Sequence, residues 1–171
     1  MPSGKHNQRG FTLIELIVVI ILIGIISVTA TSRLAGRSSF DAFVTRDQAI
    51  SIARQIQITA MQATDTQSTN FPLRIIAGTG ENSSCMGLIA STSCPSESSV
   101  STVSRMLLGK TSRVRFSPQN TIYFDLLGRP VDSSGNRICQ AGCQVNLQSR
   151  DSNTVSLCLN SEGFIDEGVC E

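Results

Sequence analysis

The 171-residue chain has no tryptophan, one tyrosine and one histidine, and no proline between Pro2 and Pro72. It contains neither a P-loop nor a GxGxxG turn, which excludes the common phosphate-cradling loops. With His6 alone at the far N-terminus, the chain cannot assemble a zinc set of paired cysteines and histidines. Charge of one sign is also missing. Fourteen basic against thirteen acidic residues give a net charge of +1, which excludes a generally basic nucleic-acid binder and leaves only a local patch. Large side chains are scarce beyond Asp65, where only Phe71, Phe116, Tyr123, Phe124 and Phe164 are aromatic. A domain with so thin a core needs covalent support.

The apolar residues that are present are concentrated. FTLIELIVVIILIGIISVTA, residues 11–30, is apolar at fifteen of twenty positions, and twenty helical residues rise about 30 Å, enough to cross a bilayer core. A plain anchor, a cleaved secretory signal and a more specialised segment compete for this run. Val28-Thr29-Ala30 loosely resembles a signal cleavage site. Glu15 fits neither simple alternative, because a carboxylate inside an apolar span costs about 2.5–3.5 kcal/mol near the bilayer centre and less towards its edge.

All six cysteines (Cys85, Cys94, Cys139, Cys143, Cys158, Cys170) follow this run, and none is spaced as CxxC. An even number on one side of an apolar segment predicts disulfides formed outside the cytoplasm. Fifteen pairings are possible. Sequential pairing is the first expectation, with the tight Cys139–Cys143 loop its least secure member.

The stretch Arg9-Gly10-Phe11-Thr12-Leu13-Ile14-Glu15-Leu16 is similar to the leader-peptidase site of type IV pilins and pseudopilins. That resemblance implies cleavage after Gly10 by a membrane aspartyl protease, N-methylation of Phe11 by the same enzyme, and docking into a filament through Phe11 and Glu15. It implies other pilin subunits, the prepilin peptidase and the inner membrane as partners. Cleavage would place a cationic α-amino group one helical turn from Glu15, on the same face, where the helix dipole also favours a carboxylate. His6 would leave with the leader, so no Ser–His or Cys–His pair would remain; neither an enzyme nor a cofactor is expected. Phe124-Asp125-Leu126-Leu127-Gly128-Arg129-Pro130 and a late hairpin containing Gly163 resemble H-type pseudopilins and minor pilins of the mannose-sensitive haemagglutinin (MSHA) type. Many pilins carry a proline about twenty residues into the mature helix; Ser27, Thr29, Thr31 and Ser32 stand in that region here.

The expected organisation is a leader over 1–10, a long helix over 11–64 with a membrane span at about 11–30, and an extracytoplasmic β-rich domain over 65–171. Ala49, Ile52, Ala53, Ile56, Ala60 and Ala63 recur at helical spacing, which predicts a stripe packed on the domain; a break near Gly36 is the alternative. Short runs at 71–76, 113–116, 121–124, 145–148, 154–159 and 163–166 read as strands. Residues 91–104, with nine hydroxyl side chains in fourteen, read as a loop. The fold class is α+β: a long N-terminal helix on a small antiparallel sheet with disulfides.

The carboxylates Asp125, Asp132, Asp151, Glu162, Asp166 and Glu167 fall mostly at turns, and no metal site is expected. One charged cluster points elsewhere. Arg105, Lys110, Arg113 and Arg115 lie within eleven residues; with Arg113 and Arg115 on one strand face, they would form a strip able to contact DNA or another phosphate-bearing anion. The expected function is a minor pilin held in the inner membrane, its C-terminal domain periplasmic, and then built into a pilus at the cell surface where it contributes to biogenesis and adhesion. A type II secretion pseudopilin, a DNA-uptake receptor and a protein secreted after cleavage at Ala30 are the alternatives.

Overall fold

The computed structural model describes residues 12–34, 37–63, 71–96 and 105–170, with backbone alone over 28–34 and 37–39. The chain divides into two compact units, Met1–Arg37 and Ser38–Glu171. Of the helix expected over 11–64, two segments are described, α1 (Leu13–Leu34) and α2 (Arg37–Met61). Residues 35 and 36 between them lie outside the described residues.

Within its unit, α1 is apolar on every side. Its large side chains from Leu13 to Ile26 are all exposed, Ile17 the least of them at 38%. A helix without a polar face cannot satisfy itself in water. Yet among the described residues no helix is long and apolar enough to cross a membrane, so the span expected at 11–30 is not met there. The apolar side chains described, 13 to 27, cover about 22 Å of rise against a core of about 30 Å.

In the second unit α2 buries one stripe. Ala42, Ala49, Ile52, Ala53, Ile56 and Ala60 are buried at three- and four-residue spacing, so they share a face. Four of the six are alanine, which lets strands approach the helix backbone. Against this stripe pack two antiparallel sheets. The first has the order β3-β2-β1-β5-β6, with β1 Leu73–Ile76, β2 Cys85–Leu88, β3 Met106–Leu108, β5 Asn120–Phe124 and β6 Pro130–Val131. The second has the order β4-β7-β8-β9, with β4 Val114–Ser117, β7 Cys143–Ser149, β8 Thr154–Leu159 and β9 Ile165–Glu167. Strands of the second sheet alternate as half-buried strands should: Val145, Leu147, Leu157 and Leu159 enter the core, and the residues between them face outward. Phe116 and Phe124 are the largest fully buried side chains.

Three side chains hold the layers in place. The Phe116 backbone N–H donates to Ser84 Oγ at 2.7 Å, which ties β4 to the start of β2. On α2, Gln57 Nε2 donates to the carbonyls of both Gly128 and Gly163, each at 2.7 Å, and Arg54 Nη2 donates to Ile165 O at 2.7 Å. The helix thereby fastens the β5–β6 and β8–β9 turns to each other. Gly163 is required at this point, because its φ is +88° and a Cβ there would lie 2.1 Å from Gly128 O.

Candidate functional site

Gly10 and Phe11, the expected cleavage and methylation residues, lie outside the described residues. Glu15 lies in the first turn of α1, and its side chain is exposed. Its backbone N–H donates to Thr12 Oγ1 at 3.3 Å, so Thr12 caps the helix and Glu15 occupies the third helical position. The sequence signal for this cap is the Thr-x-x-Glu spacing, which the resemblance to a processing site had overshadowed. In a reciprocal capping box the glutamate would reach back to the Thr12 N–H. Among the described residues Glu15 makes no such bond and no ion pair. Its carboxylate stands uncommitted, flanked by exposed Leu13, Ile14 and Leu16.

The basic cluster is not carried on one strand. Arg113 is not in a strand: it caps the short helix α3 (Gly109–Ser112) with a left-handed φ of 57°, and its Nη1 lies 3.8 Å from Asp41 Oδ2 on α2. Arg115 is exposed on β4 and borders a cavity shared with Glu81, Gln148 and Arg150. Arg105 Nη1 donates to Thr59 Oγ1 at 3.2 Å, beside a groove of about 490 Å³ along α2. Lys110 belongs to α3. The expectation that Arg113 and Arg115 share a strand face is therefore corrected: the left-handed residue ends α3, and the strand begins one residue later.

Two turn carboxylates and one turn amide are occupied by their own loops. Asp125 Oδ1 accepts from the N–H groups of Leu127 and Arg129, and its Oδ2 accepts from Arg129 Nε. Burial alone would raise its pKa, but these donors outweigh it and hold the carboxyl below its ordinary value. Asp132 accepts from the Asn136 side chain and from the Ser134 and Asn136 N–H groups, which also depress it. Asn160 Oδ1 accepts from the Glu162 and Phe164 N–H groups. Among the described residues no three His, Cys, Asp or Glu side chains are grouped to hold a metal.

The cysteines form Cys85–Cys94, Cys139–Cys143 and Cys158–Cys170, the sequential pairings. The first lies in a small cluster with Ile76, Ile89 and Leu108. In the second, Cys139 packs on the main core. The third joins β8 to the chain beyond β9.

Residues 5–31 match the prokaryotic N-terminal methylation motif, which spans the processing sequence, Glu15 and the whole apolar run. This match supports a type IV pilin or pseudopilin, a class whose members are processed by a prepilin peptidase and associate with other pilins. No curated protein and no solved structure matches the chain.

Proposed function

We propose that the chain is a minor pilin of the MSHA type, a non-enzymatic filament subunit. Residues 1–10 form a leader, α1 anchors the precursor in the inner membrane as a single pass, and the disulfide-bonded domain lies in the periplasm. After cleavage, Phe11 and Glu15 join the subunit to a neighbour and the domain is displayed on the pilus, where it contributes to biogenesis and adhesion. The observation that carries this reading is the methylation motif over 5–31, placed on a helix whose first-turn glutamate has no partner of its own. In an apolar filament core an unpaired carboxylate costs several kcal/mol, roughly what a missing buried ion partner costs elsewhere. Pairing with the α-amino group of an adjacent copy removes that penalty and fixes the register.

N-terminal sequencing and intact mass of the protein isolated from cells test the proposal. The expected product begins at Phe11 and carries one added methyl group; a product beginning at Thr31, or one that keeps residues 1–10, refutes it. Glu15→Val should be processed normally yet fail to enter filaments. The β5–β6 turn resembles H-type pseudopilins as well, and a deletion strain separates the two uses: lost fimbriae point to a pilus, lost protein secretion to a secretion system. DNA uptake is the weaker use, because Arg105 and Arg113 are already engaged, with Thr59 and Asp41. A gel shift unchanged by Arg113→Ala and Arg115→Ala removes it.

A further inference from the structure

Two of the three disulfides wall in one cavity on the outer side of the second sheet. Register sets Cys158 of β8 opposite Asp166 of β9, and the bond from Cys158 to Cys170 ties down the chain beyond β9. Facing it, the Cys139–Cys143 bond closes the short loop 140–142. Gly142 lies directly against the other bridge: its φ is +82°, and a Cβ there would meet Cys170 Sγ at 2.5 Å and Cys158 Sγ at 3.1 Å. The space left between this loop, the Cys158–Cys170 bridge and the β8–β9 turn is about 450 Å³, within the range of ordinary ligand sites. Both segments that could move are cross-linked, so a ligand has little left to order.

The lining is acidic and apolar. Asp166 and Glu167 supply its charge, and among the described residues no lysine or arginine lines it. Glu167 is committed to Arg46. Asp166 has no ion pair among the described residues: its Oδ1 accepts the Glu167 N–H at 2.8 Å, and its Oδ2 has no donor. Beside it stand Phe164 and Val169, 60% and 65% exposed, and Gln140 adds an amide. No three His, Cys, Asp or Glu side chains are grouped among the described residues, so the carboxylate is not part of a metal set. A cation carried on an aliphatic stem suits every part of this lining. The stem covers apolar surface, the head reaches the carboxylate, and the aromatic ring adds to the attraction. We propose that this cavity receives a basic side chain, lysine or arginine, of a partner protein.

An exposed ion pair alone is worth little. Partial enclosure and the ring raise it, so a small ligand with one basic group should bind with a Kd of about 1–5 mM. The cavity and its charge belong to the second unit alone and do not depend on how the chain is anchored or assembled. Displayed in many copies along a filament, contacts of this strength would act together; only this last consequence rests on the proposed function.

The test uses the full chain, isotope-labelled, in uncharged detergent micelles, titrated with N-acetyl-arginine amide and followed by nuclear magnetic resonance. Amide signals of residues 140–142 and 164–169 should shift and saturate. N-acetyl-citrulline amide, of the same shape without the charge, should bind about tenfold more weakly or not at all, and salt at about 0.5 M should weaken the arginine ligand several-fold. Asp166→Asn should weaken binding about tenfold and Phe164→Ala about threefold; both side chains are exposed, so neither change disturbs the core. Glu162→Gln, outside the cavity, should leave binding as it is. Opening the wall with Cys158→Ser and Cys170→Ser should cost more binding than removing Cys85–Cys94, with melting curves checking that each variant is folded. No saturable shift, equal binding of the citrulline ligand, no effect of Asp166→Asn, or tighter binding of methyl α-glucoside than of the arginine ligand would each overturn the proposal, whereas N-terminal processing is read independently.

Discussion

Gln57 offers a stringent test of how the second unit is held together. Its two amide hydrogens go to two carbonyls, those of Gly128 and Gly163, which are 71 and 106 residues away in sequence. Gln57→Ala removes both bonds. At about 1 kcal/mol for each, plus part of the cost of leaving the carbonyls without donors where water enters poorly, the loss should be about 2–3 kcal/mol. For a unit of this size that corresponds to a fall of about 8–12 °C in melting temperature, read by circular dichroism on the full chain. Gln57→Glu sharpens the test, since it sets a carboxylate against two carbonyl oxygens. The introduced carboxyl is stabilised in its protonated form, so its folded-state pKa rises above the unfolded value. Its share of stability is then present at low pH and lost as the pH rises through the raised value. Gln57→Glu should therefore recover relative to Gln57→Ala on acidification. A Gln57→Ala loss below about 0.5 kcal/mol, or a Gln57→Glu variant with no such pH dependence, would refute the fastening role.

The disulfides should rank by loop length: replacing Cys158 and Cys170 (separation 12) with serine should cost about 3 kcal/mol, and replacing Cys139 and Cys143 (separation 4) about 2 kcal/mol, in urea unfolding. Acid should destabilise the domain through four carboxylates held below their ordinary values. Glu81 is held by its hydrogen bonds from Arg150 and Glu162 by its bond from Arg137, while at Asp125 the loop donors outweigh burial and at Asp132 Asn136 leads. Because these folded pKa values are depressed, the stability they confer is complete above the ordinary carboxylate range and is lost as the pH falls through the folded values. Arg150→Gln should make the acid loss shallower; an unchanged slope of urea midpoint against pH would show that the Glu81 pair contributes nothing.

Local pattern explains which parts of this fold could be read from sequence. The strand at 154–159 was legible to the residue because Thr154-Val155-Ser156-Leu157 alternates, and the α2 stripe because its alanines and isoleucines recur at helical spacing. β2, β3 and β6 escaped. They are short and lack alternation, and β3 is defined by pairing with β2 across some twenty residues of chain. Arg113-Val114-Arg115-Phe116 reads as four alternating residues, yet the left-handed turn that ends α3 claims the first of them. The fastening by Gln57 leaves no local trace, since nothing near residue 57 announces two turns more than seventy residues away.

The start of α1 bears on the proposed pairing of Glu15 with another copy. The first four N–H groups of a helix lack intrahelical acceptors, and Thr12 supplies one through its hydroxyl. Had Glu15 closed the box by accepting the Thr12 N–H, its charge would be partly spent at home, and the acid would have a sufficient structural explanation. It does not close the box, and the side chains around it are apolar and exposed. Once apolar surroundings replace water, such a carboxylate needs a cation from elsewhere, so one substitution should separate the two roles. Glu15→Gln keeps the ability to accept a hydrogen bond and removes the charge. If capping were its purpose, the variant would assemble normally; if it pairs with the amine of another copy, the variant should fail as Glu15→Val does.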